Sequence, residues 1–110
     1  MVRYIPEKGD IVWMDFDPQK GREISKIRPA LVLSIRDYNA KSGLALCVPI
    51  TSSVKGYPFE VIVKYDTISG AILCDQIRSM DWQERKVKKI VSLEDKILNE
   101  VLNKVRLILL

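Results

Sequence analysis

The sequence predicts a small, mainly β domain: a strongly curved sheet or barrel carrying one C-terminal α-helix. Three observations carry this. Short apolar runs, several of them alternating, recur over the first two thirds of the chain between Gly, Pro, Asn and Ser turns. Near residue 93 the apolar period changes to that of a helix. A chain of 110 residues, 47% hydrophobic and 29% charged, supplies one modest core, so residues 1–110 are expected to form a single domain.

The elements follow in order. Asp10 to Phe16 (DIVWMDF) alternates, with Ile11, Trp13 and Asp15 on one face and Val12, Met14 and Phe16 on the other. Pro29 to Ile35 (PALVLSI) is a nearly continuous apolar run, as a central strand requires. Leu44 to Ile50 is similar and follows the turn signal Lys-Ser-Gly. Phe59 to Lys64 alternates cleanly, and Gly70 to Cys74 opens a strand predicted to run on toward Met80. Leu93, Ile97, Val101, Val105 and Ile108, flanked by Leu98, Leu102 and Leu109, form one stripe at helical spacing. Ser92 is the expected N-cap, with Glu94 and Asp95 in the first turn where the helix dipole favours them. The helix should run about four or five turns and pack on the sheet.

Composition removes several chemistries. No histidine is present, which excludes His-based triads, a two-histidine ribonuclease mechanism and the usual zinc sites. Cys47 and Cys74 lie far apart in apolar settings with no CxxC pair, so they read as buried free thiols. Asp15 and Asp17 have the spacing of a divalent-metal pair. Asp17 before Pro18 reads better as a turn residue, and an all-oxygen site needs further converging ligands, so neither metal nor cofactor is expected. The longest uncharged stretch, Ser42 to Val54, is broken by Pro49 and too short to span a bilayer, and Met1 to Lys8 contains no apolar signal core. These features predict a cytoplasmic protein without a membrane partner. The 18 Lys and Arg exceed the 14 Asp and Glu, for a net charge of +4. That excess suits a polyanionic partner without singling one out.

Two stretches are chemically loaded. The long connection from Asp17 to Ile27 carries Lys20, Arg22, Glu23 and Lys26 and few residues fit for a core; long connections inside compact domains are usually functional or mobile. It leads into Arg28, whose backbone the following proline holds extended. An arginine there can present a fixed fork of donors to a phosphate, or it can pair with a loop carboxylate such as Glu23. The second stretch is Pro49-Ile50-Thr51-Ser52-Ser53, then Lys55-Gly56-Tyr57-Pro58. Hydroxyls past a strand end bind phosphate oxygens or satisfy turn amides, and local sequence leaves both readings open.

Taken together, the ordered set GDIVWMDFDPQKGREISKIRPALVLS, YN, LCVPITSSVKGYPFEV and DQIRSMDW resembles the MazF/PemK family of toxin endoribonucleases. The resemblance runs from Arg3 to about Trp82, roughly three quarters of the chain, and the C-terminal helix agrees in position. It implies an SH3-like barrel of the CcdB/MazF/PemK-like toxin fold, homodimerisation, cleavage of single-stranded RNA (mRNA) at short words, and inhibition by a cognate MazE-like antitoxin. The family's catalytic arginine falls on Arg28, its strand-end hydroxyl on Thr51 and its loop glutamate on Glu23. The DQ pair falls on Asp75 and Gln76. The histidine that one branch uses in the first loop has no counterpart, so a mechanism relying on it does not transfer.

RNA cleavage without a metal uses the substrate's own 2′-hydroxyl as nucleophile. The enzyme helps remove that proton, stabilises charge on the phosphorane and protonates the leaving 5′-oxygen. Arg28 suits the second task, which in comparable sites is worth about 3–4 kcal/mol. Thr51 can orient the phosphate. Glu23 is the natural base, although an unperturbed glutamate pKa of about 4.3 makes an exposed one weak; Asp75 is the rival. Expected RNA contacts are Lys20, Arg22, Lys26, Ser52, Ser53, Lys55, Tyr57, Asp75, Gln76 and Arg78. Tyr57, Phe59 and Trp82 are aromatics that can stack on bases or belong to the core. Two alternatives remain from other classes: a non-catalytic toxin of the same fold that poisons a protein such as DNA gyrase, and a non-catalytic RNA-binding barrel. A C-terminal tail of Arg-Leu-Ile-Leu-Leu, lacking Trp, counts against the gyrase poison.

Overall fold

The computed structural model describes residues 3–16 and 27–110. Strands β1 (Asp10–Asp15) and β2 (Ile27–Val32) precede the short helix α1 (Arg36–Ser42). Then come β3 (Leu44–Thr51), β4 (Glu60–Lys64), β5 (Ser69–Leu73), β6 (Arg78–Asp81) and β7 (Lys88–Ser92), and finally helix α2 (Asp95–Leu109). The strands form one curved sheet in the order β4-β5-β3-β2-β1-β7, with β6 also pairing β3, and every pairing is antiparallel. This is the mainly β fold with a C-terminal helix that the sequence predicts.

Both faces of the sheet are covered, which is why β2 and β3 read as near-continuous apolar runs. On one face Ile11, Leu31, Val48, Ile50, Val61 and Ile72 pack beneath Leu98 and Val101 of α2. Ile97, Leu102 and Val105 complete the helix's inner stripe and are half-buried. On the other face Val12, Met14, Ala30, Val32, Ala45, Cys47, Met80 and Trp82 form a second cluster, flanked by Tyr4, Ile5, Phe16 and Val87. The Trp82 indole Nε1 donates to the Asn39 carbonyl at 3.0 Å. Asn39 is itself fully buried, and its side chain is bonded to Ser34 and to the Pro6 and Ser34 carbonyls. A fully satisfied polar hub of this kind ties α1 to Pro6, Ser34 and Trp82.

β3 organises the sheet because its edge changes partner along its length. Leu44–Cys47 pair with β6, whereas Ile50 and Thr51 pair with β5. Leu46 turns its N–H and carbonyl toward the β2 side, bonding Ser34 and Leu33. By the two-residue alternation of a strand, the ring nitrogen of Pro49 faces the opposite edge, at the gap between β6 and β5. A proline is tolerated inside this strand because no partner there asks for its missing donor.

Several boundaries depart from the sequence prediction. β2 begins at Ile27 and ends at Val32, because Ile35 already serves as the N-cap of α1, a helix the apolar pattern does not announce. Seven residues are too few to show a helical stripe; its marks are the Asp37–Lys41 ion pair and the left-handed Gly43 that ends it. The run from Gly70 toward Met80 is two strands, β5 and β6, separated by a turn in which Gln76 N–H bonds the Leu73 carbonyl. β7 is an added edge strand in which two exposed lysines, Lys88 and Lys89, precede the half-buried Ile90 and Val91. Ser92 does not cap α2: it ends β7, and Glu94 takes the N-cap position without a side-chain cap bond. The expected Asp17–Ile27 connection lies, but for Ile27, outside the described residues. No helix among the described residues is long and apolar enough to cross a membrane.

Candidate active site

The second apolar cluster does not fill its whole face. Met14 pairs with Arg28, and Ala30 pairs with Pro49. Extending the β2–β3 register by two residues brings Arg28 and Thr51 to opposed positions on the same face. Cys47, two steps along β3, pairs with Arg78 on β6. Phe16 continues the Val12–Met14 face past the end of β1, and the Arg78 guanidinium lies over its ring at 5.6 Å. Four chain segments therefore deliver Phe16, Arg28, Thr51 and Arg78 to one end of one face.

Three adjoining recesses meet at Thr51. The first, about 470 Å³, runs past Arg28, Ser52 and Ser53 to Thr67 and Ser69. The second lies among Phe16, Arg28, Pro49, Gln76 and Arg78. The third extends past Ser53, Lys55 and Tyr57 to Asp75 and Gln76. All the predicted site residues that the structure describes line this groove: Arg28, Thr51, Ser52, Ser53, Lys55, Tyr57, Asp75, Gln76 and Arg78. Lys20, Arg22, Glu23 and Lys26 lie outside the described residues.

Arg28 is exposed, and neither ion pair among the described residues involves it. The Thr51 hydroxyl oxygen accepts the Ser53 N–H at 3.1 Å, which leaves its proton to be donated into the groove. Gly70 is required beside it, since a Cβ there would stand 2.1 Å from the Thr51 carbonyl oxygen. At the far end Tyr57 is 48% exposed and meets Phe59 edge-on, with ring centroids 5.8 Å apart. Hydrogen bonding of its hydroxyl to the nearby Asp75 carboxylate, together with that carboxylate's charge, raises the phenol above its ordinary range. Asp75 thus anchors the far wall and lines the recess that Arg28 does not reach.

Trp82 does not serve as a stacking surface: it is 4% exposed and tied to α1, as its place in the second cluster demands. Nor are the cysteines nucleophiles. Burial raises the Cys47 thiol to about 12 and the Cys74 thiol to about 11, so both are protonated at neutral pH. Sequence reasoning missed Phe16, Glu60, Thr67 and Ser69 as groove residues. Strand alternation already put Phe16 on the right face; nothing local distinguishes the other three.

Comparison with known proteins agrees with this fold. Residues 7–109 match the family of PemK-like, MazF-like toxins of type II toxin–antitoxin systems. The endoribonuclease toxin MazF of Escherichia coli K12 is 49% identical over 87 residues, covering 79% of this chain and 78% of that protein. The endoribonuclease toxin ChpB of the same strain is 35% identical over 102 residues, covering 87% of each. A MazE–MazF crystal structure from Deinococcus radiodurans superposes with a TM-score of 0.91 at 42% identity, covering 97% of both chains. The chain belongs to the PemK-like, MazF-like toxin family of type II toxin–antitoxin systems.

Proposed function

We propose that this chain is the toxin of a type II toxin–antitoxin system, an endoribonuclease that cuts single-stranded mRNA and so inhibits translation and growth. The observation that carries the chemistry is the apposition of Arg28 and Thr51 on one sheet face, in a groove that also holds Arg78. A guanidinium offers two parallel donors to the non-bridging oxygens of the scissile phosphate and stabilises the charge that grows on the phosphorane. The Thr51 hydroxyl donates a further bond and fixes the phosphate's orientation. The RNA 2′-hydroxyl attacks the adjacent phosphorus, the bond to the 5′-oxygen breaks, and the products are a 2′,3′-cyclic phosphate and a free 5′-hydroxyl. Glu23 is the base we favour, because Asp75 is engaged by Tyr57 one recess away from Arg28. Lys20, Arg22 and Lys26 attract the RNA backbone, Ser52, Ser53, Lys55 and Gln76 bond it along the groove, and Tyr57 stacks on an unpaired base.

Defining the ends of the cleaved RNA tests this mechanism. The cyclic phosphate and 5′-hydroxyl should form at undiminished rate in EDTA. A 5′-phosphate product, or activity restored only by magnesium, would mean that water attacks at a metal site, and Asp15 would then be the first residue to reconsider.

The working unit is proposed to be a cytoplasmic homodimer. Leu107, Ile108, Leu109 and Leu110 are 75%, 40%, 65% and 97% exposed at the end of α2, an apolar surface that a second copy would cover. Light scattering should return twice the 12.6 kDa chain mass. The cognate partner is a MazE-like antitoxin whose acidic segment competes with RNA for the basic groove.

A further inference from the structure

The far wall of the groove is built around one carboxylate. Glu60, at the start of β4, turns its side chain back onto the preceding loop. Its Oε1 accepts the backbone N–H groups of Lys55, Gly56 and Tyr57 at 3.2, 3.0 and 3.3 Å, and its Oε2 lies 3.4 Å from the Lys55 nitrogen. Three successive amides converging on one anion make a closed nest, and Gly56 at φ +78° supplies the left-handed residue that such a turn needs. The next residue along is held from the other side: Lys104 of α2 donates to the Pro58 carbonyl at 2.8 Å. Between these two clamps stands the exposed Tyr57 ring, fixed by Phe59 at its edge and by Asp75 at its hydroxyl. Neither Glu60 nor Lys104 reaches the recesses that hold Arg28.

We infer that Glu60 is a positioning residue for RNA selection, holding the Lys55–Tyr57 loop so that Tyr57 presents a rigid stacking surface to one nucleotide beside the cleaved bond. The inference rests on the endoribonuclease reading. It separates two tasks within one groove. Arg28 and Thr51 act on the phosphate, whereas the carboxylate-closed loop sets which bases can lie alongside it. A rigid platform rejects a poorly stacking base, while a loose loop adapts to it, so Glu60 acts through selectivity and substrate affinity.

The experiment compares the full-length wild type with Glu60→Ala, Glu60→Gln and Lys104→Met. Cut sites are mapped on one long natural RNA, and steady-state kinetics follow on a short RNA containing one mapped site. Glu60→Ala is expected to raise KM about tenfold. It should also cut at sites the wild type ignores, with kcat within about threefold. Glu60→Gln should recover part of the loss, since its amide oxygen still accepts from the loop N–H groups with a weaker neutral bond. Lys104→Met should shift KM and cut sites in the same direction, and it carries the test if Glu60→Ala fails to fold. Unchanged KM and cut sites in both Glu60→Ala and Lys104→Met would overturn the inference, as would a fall in kcat at constant KM. If the wild type itself leaves RNA intact, the endoribonuclease reading fails first; if it cleaves and the variants behave like it, only the role of Glu60 falls.

Discussion

The two ends of a single sheet face do opposite work with the same strands. Val12 of β1, Val32 of β2, Ala45 of β3 and Met80 of β6 are buried at one end. Moving along each strand in two-residue steps reaches Phe16, Arg28, Thr51 and Arg78 at the other. The closed end is sealed by Trp82 on the Asn39 carbonyl and by Tyr4 and Ile5. Among the described residues the open end has no such lid, and its side chains meet in the groove. The difference teaches how a chain without histidine sets a catalytic geometry. Core packing fixes the register, and the register carries Arg28 to Thr51, since a slip of one residue would send every side chain to the other face.

Substitutions at the two ends should therefore fail in different ways. Arg28→Ala should slow cleavage by about a hundredfold or more with thermal stability unchanged, because the side chain is exposed and the work proposed for it is done in the transition state. Arg28→Lys should remain poor, since a point charge does not replace a planar fork. Met80→Ala, one step back from Arg78 at the closed end, should instead cost about 2–5 kcal/mol in denaturant unfolding while folded molecules keep cleaving. A large loss of activity in a fully folded Met80→Ala would erase the distinction between the ends.

Gly70→Ala sits between these cases. The added methyl would press on the Thr51 carbonyl at 2.1 Å, so it should cost about 1–3 kcal/mol of stability and also lower cleavage by displacing Thr51. Near neutral pH the smallest effect concerns the two thiols. Their folded values, about 12 and 11, stand above the ordinary 9.0, so they favour the fold while protonated. Stability should be unaffected below pH 9 and fall as pH climbs from 9 toward 12, which a pH series of unfolding midpoints reads directly. Cleavage near neutrality should be indifferent to alkylating agents.

Much of this contrast was legible in the sequence, and the reasons for the gaps are physical. Alternation in DIVWMDF correctly put Met14 and Phe16 on one face, and the helical stripe correctly located α2. The groove residues were named through the ordered motifs of the family, since local sequence around Arg28 or Thr51 favoured an ion pair or a turn bond. Helix α1 was missed because its seven residues are too few to show a period. The break between β5 and β6 was missed because the change of partner that separates them happens on β3. The Glu60 nest leaves no trace in FEVIVK, where Glu60 looks like an ordinary outward residue of an alternating strand. Contacts made by a side chain to backbone amides depend on loop conformation, which residue type alone does not specify.

The central claim is that Arg28 and Thr51 hold the same phosphate, and a double-mutant cycle on single-turnover cleavage tests it most directly. Thr51→Ala alone should lose about tenfold, the worth of roughly one neutral hydrogen bond. In the Arg28→Ala background the same change should cost clearly less, because the phosphate has already lost the fork that oriented it; coupled groups typically interact by about 0.5–3 kcal/mol. Losses that multiply independently would contradict the account, and would mean that the register brings these two side chains near one another without giving them a common substrate atom.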